Sequence, residues 1–250
     1  MRPSADALVE SVLVLTTLGA PERRLLPGRG RPRAVESAEP EPVPTSRATI
    51  VRATPFSSES DAAAWLSGAD LDEEVAAATL VLNRGLHAHR VATADPYVTE
   101  VSPDRALVVR VGYGVGEEVA DGRFGECVEV PRSARRRPRR SMEAPEERFA
   151  ALLGGREELL PAEELVLRAR ADLDAGRLAE AALQARVAIE AVLAGLNDSS
   201  EGERVRPHRE AVAAAANEAL HGDVPGSSAT ALEDAVEAME MALKRRRLGA

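Results

Sequence analysis

Two of the chain's four histidines, His87 and His89 in "HAHR", lie shortly before Asp95 and Tyr97. Imidazole, carboxylate and phenol together could bind a metal ion or relay a proton, the chemistry of a small-molecule enzyme. The spacing resists this, because residues two apart on a helix do not share a face; a solvated helix end is the plainer reading. The remaining cluster is cationic. Arg135, Arg136, Arg137, Arg139 and Arg140 fall in "PRSARRRPRR" and could hold an RNA backbone, an acidic protein or the chain's own acidic helices. No aromatic residue interleaves with them, so base stacking is not expected.

Other patterns have structural explanations. In "GYGVG", Gly112 to Gly116, the third glycine comes one position early for a dinucleotide fingerprint and no Gly-Lys-Ser/Thr follows. Glu117 and Glu118 would repel a phosphate there, so a turn or bulge is expected. No "GxSxG" nucleophile elbow occurs. The acid pairs Glu73–Glu74 and Glu163–Glu164 sit in the first turns of expected helices, where the helix dipole accounts for them. The single cysteine, Cys127, can form neither an internal disulfide nor a cysteine zinc site, which fits a reducing compartment. No metal or cofactor is expected.

The elements that must position these groups are bounded by composition. The 250 residues suit one or two domains, and aromatics at 2% mean that cores are built of Ala, Leu and Val. Lys244 is the only lysine, a bias of the kind that bacterial genomes of high GC content produce. Residues 141–250 carry 13 basic and 21 acidic side chains, a net of −8, which disfavours nucleic acid except through the arginine run. The apolar run "SVLVLTTLGA" at 11–20 falls short of the roughly 20 residues a membrane span needs, and acids rather than basic residues precede it. It reads as a buried strand or short helix. No membrane partner is expected, and the cytoplasm is the expected location.

The fold class read from the pattern is α+β, a small mixed α/β domain followed by an all-α bundle of four to five helices. Residues 1–46 form an N-terminal segment with a Pro- and Glu-rich linker from Pro27, too poor in apolar area to order itself. Residues 47–131 form the α+β domain, 132–144 an arginine-rich linker, and 145–250 the helical domain. Within the second segment Ser58 and Asp70 are placed to start helices, and Leu71, Val75, Ala78, Leu82 and Leu86 line one helical face. "YVTEV" and "ALVVRVGY" read as strands around "SPDR", and Asp121–Gly122 signals a hairpin before a last strand. In the helical domain Pro161 suits a first turn, and Thr230 with Glu233 suits a capping box. Leu178, Ala181, Ala185, Ile189, Val192 and Leu196 form an apolar stripe, faced by Leu165, Ala169 and Leu173. Leu232, Ala235, Met239 and Leu243 continue the core, with "KRRR" at 244–247 favoured by the final helix dipole.

The stretch "LDAGRLAEAALQARVAIEAVL" resembles one tetratricopeptide hairpin, with Gly176 at its turn and Ala181 inward. An array would repeat it about 34 residues away, but those steps reach Met142 and Glu210 in unlike contexts. The same stretch, with Ala188, Glu190 and Leu193 in an "A-x-E-x-x-L" pattern, also resembles the central helices of the HEPN family, all-α domains that often act as ribonucleases in toxin systems. The resemblance implies that Asn217 and His221 would be the site residues, yet alanine stands where active members carry an arginine four to six positions before the histidine. The leading expectation is a non-catalytic interaction or scaffold protein that engages a protein partner or itself through the helical domain. A HEPN-like toxin–antitoxin component, ribonuclease or inactive relative, is the alternative; a small-molecule enzyme built on His87, Asp95 and Tyr97 comes third.

Overall fold

The computed structural model describes residues 8–19, 43–131, 145–196, 199–222 and 224–249. The chain divides into two compact units, Met1–Arg139 and Arg140–Ala250. The expected linker from Pro27 lies mostly outside the described residues, and the arginine-rich segment 132–144 lies wholly outside them.

The first unit is α+β. Strands β1 (Ser11–Leu18) and β2 (Thr45–Arg52) pair antiparallel in full register, Ser11 opposite Arg52 and Leu18 opposite Thr45. The apolar run at 11–18 is thus a strand of the same sheet as β2. Helix α1 (Glu59–Gly68) starts where Ser58 Oγ accepts the Asp61 amide at 3.1 Å, and α2 (Leu71–Thr93) where Asp70 Oδ1 accepts the Asp72 and Glu73 amides. Helix α2 turns Val75 into the core, and Leu71, Ala78, Leu82 and Leu86 are half-buried along the same face. Strands β3 (Arg110–Tyr113) and β4 (Glu126–Glu129) form a second two-stranded antiparallel sheet, with the short helix α3 (Gly116–Ala120) between them.

One expectation fails in this unit. "SPDR" is a turn as expected, a single 3₁₀ turn at Pro103–Arg105, but "YVTEV" before it is no strand. The Asn83 side chain on α2 takes the place of a neighbouring strand: its Nδ2 donates to the Val101 carbonyl at 3.0 Å and its Oδ1 accepts the Val101 amide at 2.9 Å. A backbone whose polar groups are met by a side chain has no need of a ladder.

The second unit is helical: α4 (Pro145–Leu153), α5 (Pro161–Asp174), α6 (Leu178–Gly195), α7 (Ser200–Val205), α8 (Arg209–Leu220) and α9 (Gly226–Gly249). Five of these span nine residues or more, and α7 is a six-residue segment. Helix α6 is central, packed against α5, α7, α8 and α9. Its inner face is the expected stripe: Ala181, Ala185, Ile189 and Val192 have no exposure at all, and Leu196 has 5%. Ala169 of α5 and Leu232, Ala235 and Met239 of α9 are equally sealed, so the core is built largely from alanine contacts that let helix axes approach closely.

Pro161 opens α5 as expected, with Glu163 accepting the Leu160 amide at 3.3 Å. Thr230 does not cap a helix. Helix α9 begins four residues earlier, just after Pro225, where the Ser228 amide donates to the Pro225 carbonyl and Ser228 Oγ bonds Glu218 of α8. No described helix is long and apolar enough to cross a membrane.

Candidate interaction surface

The described groups singled out for chemistry fall on α2 and the turn after it, and at the end of α8. His87 is half-buried on α2, and Asp95 lies beyond that helix's left-handed end at Ala94. Asp95 Oδ1 accepts the Tyr97 amide at 2.9 Å, a turn-stabilising bond, while the Tyr97 ring is 88% exposed. Asn217 and His221 are exposed at the end of α8, where His221 Nδ1 donates to the Asn217 carbonyl at 2.7 Å. Two of the positions where an arginine would precede that histidine are Ala215 and Ala216, buried against the bundle. Arg135, Arg136, Arg137, Arg139 and Arg140 lie outside the described residues. Among the described residues, no group of three or more His, Cys, Asp or Glu side chains is arranged to hold a metal.

Gly112 and Gly114 of "GYGVG" serve the hairpin, whereas a Cβ on Gly116 would meet nothing within 4 Å. A Cβ on Gly112 would stand 2.5 Å from Cys127 Cβ on the paired strand, and one on Gly114 would stand 2.8 Å from the Gly125 amide nitrogen. Close backbone approach therefore accounts for them. Beside them Tyr113 donates its hydroxyl to Glu126 Oε2 at 2.8 Å, and that bond to a carboxylate raises the phenol's pKa.

The helical unit offers a surface that composition did not announce. Leu183 and Val187 lie on the side of α6 turned away from Ala185 and Ile189, and Ala191 and Gly195, which continue the interval of four, wind toward the core, against which Ala191 packs. Leu183 and Val187 are 39% and 55% exposed. At the C-terminal end of this row a cavity of about 280 Å³ opens, lined by Leu160, Ala162, Ala191, Ala194, Leu243 and Arg246 among others, nearly all of it apolar.

Charge frames that row. On one flank Arg209 of α8 grips Glu190 with two hydrogen bonds of 2.8 and 2.9 Å, and this contact lowers the Glu190 pKa from its ordinary value. At the cavity mouth the cations of α9 divide by role: Arg245 bonds Glu201 and Arg247 bonds Glu163, whereas Arg246 has no ion-pair partner among the described residues.

Next to the cavity-lining Ala162 in sequence, Glu163 anchors a buried charge network. Glu163, 5% exposed, receives Arg148 Nη2 at 2.8 and 2.9 Å and Arg247 Nε at 2.9 Å, and Arg148 also donates to Glu157. Two carboxylates against two guanidinium groups leave the network electrically balanced, and it joins α4, α5 and α9. It is a structural clamp.

The geometry defines a helical bundle with an apolar, charge-framed outer surface on its central helix. Compared with family models, with curated proteins and with solved structures, the chain gives no match.

Proposed function

We propose that the helical unit is a protein-interaction module, that the outer side of α6 is its working surface, and that the chain acts as a scaffold in the cytoplasm rather than as a catalyst. The observation that carries this reading is the exposure of Leu183 and Val187 on the helix whose opposite side forms the core. Single exposed leucines are ordinary, but an apolar row that runs into an apolar cavity gains free energy when covered, at about 25 cal/mol per Å² buried. A rigid central helix loses little entropy on binding, and the flanking Glu190–Arg209 pair supplies the polar rim expected of such an interface.

A HEPN-like ribonuclease centred on Asn217 and His221 is supported less well. Arginine at position 215 or 216 would have to enter the packed interior that the alanines occupy.

The test is capture by the full chain compared with its Val187→Glu variant. A protein retained by the wild-type chain and released by the variant, with helical content unchanged, supports the reading. Equal retention by both overturns it.

A further inference from the structure

The cavity is walled by three helix ends: the start of α5 at Ala162, the end of α6 at Gly195 and Leu196, and the last turns of α9 at Leu243. Small residues at this junction leave the space unfilled, while Leu196 and Leu243 add apolar wall. A cavity water needs two to four polar partners to be held, and a lining that is nearly all apolar does not supply them. Filling the hollow with an apolar group is therefore favourable. Its size suits one short chain. An engineered apolar cavity of about 150 Å³ takes up benzene, and small-molecule sites begin at roughly 300 Å³; this one measures about 280 Å³.

The charge at the mouth is the second observation. Around the cavity the ions balance in pairs: Glu163 and Glu157 against Arg148 and Arg247, and Glu201 against Arg245. Arg246 is left over. It lines the cavity, is exposed to solvent and has no ion-pair partner among the described residues, in a segment that is otherwise acidic. The positive end of α5 lies at the same wall, where the Ala162 amide, in the first turn, has no carbonyl within the helix to receive it. The carbonyl end of α6 opposes this, but the Leu196 carbonyl already accepts the Ser199 amide and hydroxyl at 3.0 and 2.7 Å.

We propose that the cavity binds an amphipathic carboxylate, a short acyl chain whose methylenes fill the hollow between α5, α6 and α9 and whose head group meets Arg246. A guanidinium receives a carboxylate through two parallel hydrogen bonds, which fix the orientation of the ligand as well as its charge. The apolar wall takes the chain without reading it closely, so the head group supplies the selectivity. This site goes beyond the interaction reading and does not depend on it, because Val187 does not line the cavity.

Calorimetric titration of the full-length chain and its Arg246→Gln variant with octanoate, octylamine and octan-1-ol tests the proposal. Octanoate is expected to bind the wild type with a Kd below about 1 mM, and octylamine, with the same chain and the opposite charge, about tenfold or more weakly than octanoate. Arg246→Gln is expected to weaken octanoate about fivefold or more and to change octan-1-ol by less than about twofold, since only the charged head group loses its partner. Exposed and without an ion pair, Arg246 can be replaced without loss of helicity, which circular dichroism checks. Nuclear Overhauser contacts should run from the octanoate methylenes to the methyl groups of Leu196 and Leu243, and not to those of Leu13 or Leu66 in the first unit. No octanoate binding up to about 1 mM overturns the proposal. So does octylamine binding as tightly as octanoate, an Arg246→Gln variant that binds octanoate like the wild type, or contacts from the bound chain to the first unit instead. Each of these outcomes leaves the Val187→Glu capture to be decided separately.

Discussion

Arg247 Nη2 stands 2.8 Å from Glu163 Oε1, joining the last turn of α9 to the first turn of α5 across 84 residues of sequence. With Arg148 on the same carboxylate, this contact fixes the end of the bundle where the α6 row meets its cavity. Glu163→Gln keeps the shape and removes the charge, leaving Arg247 without its carboxylate while Arg148 keeps Glu157. Breaking a fully buried pair costs about 3–5 kcal/mol; here the guanidinium side chains retain 21% and 28% exposure, so about 2 kcal/mol is expected. Urea unfolding followed by helical circular dichroism reads the loss, and an unchanged midpoint contradicts it.

The Glu190–Arg209 pair gives a pH signature. Arg209 holds the Glu190 carboxyl below its ordinary pKa, so the folded state favours the ionised form. A depressed carboxylate contributes stability that is present above the unfolded pKa and is lost as pH falls through the folded one. Wild type should therefore melt above Arg209→Met at neutral pH, and the gap should close as pH drops below the usual carboxylate range. Added salt should shrink it as well, because the pair is solvent-accessible. A gap that persists unchanged into strong acid contradicts the assignment.

The alanine core should resist enlargement. Ala185 has no exposed surface and belongs to the same packed cluster as Ala169 of α5, so Ala185→Leu forces helices apart or side chains off their rotamers. The expected cost is about 2–3 kcal/mol. Chemical denaturation measures it, and a change under about 0.5 kcal/mol would mean that the helices are not in close contact.

His221 and Asn217 separate the interaction reading from the ribonuclease alternative. Expression of the full chain should leave host growth unaffected, and His221→Ala should alter nothing. Growth arrest relieved by His221→Ala contradicts the reading.

Periodicity revealed the buried side of this protein because burial is what imposes periodicity. The stripe from Ala181 to Leu196, the opposing Ala169 and the caps at Ser58 and Asp70 depend on neighbours within a few positions, and all were readable. What was not readable depends on distant partners. Asn83 takes over the backbone of Val101 from 18 residues away, so a β-rich stretch never becomes a strand. β1 meets β2 across a long intervening segment that carries no pairing signal. Glu163 looked like one of two first-turn acids; only the approach of Arg148 and Arg247 distinguishes it from Glu164, which merely pairs with Arg168 at its own surface. The exposed Leu183 and Val187 of α6 carry no separate sequence signal, because the inner stripe of the same helix already accounts for its apolar content.

The central claim is that protein covers the outer side of α6. A photo-crosslinking residue at position 187 in the full-length chain, with one at exposed position 210 on α8 as control, tests it most directly. Irradiation in the host should yield protein adducts from 187 and none from 210. Adducts absent from 187, or equal at the two positions, would contradict the claim.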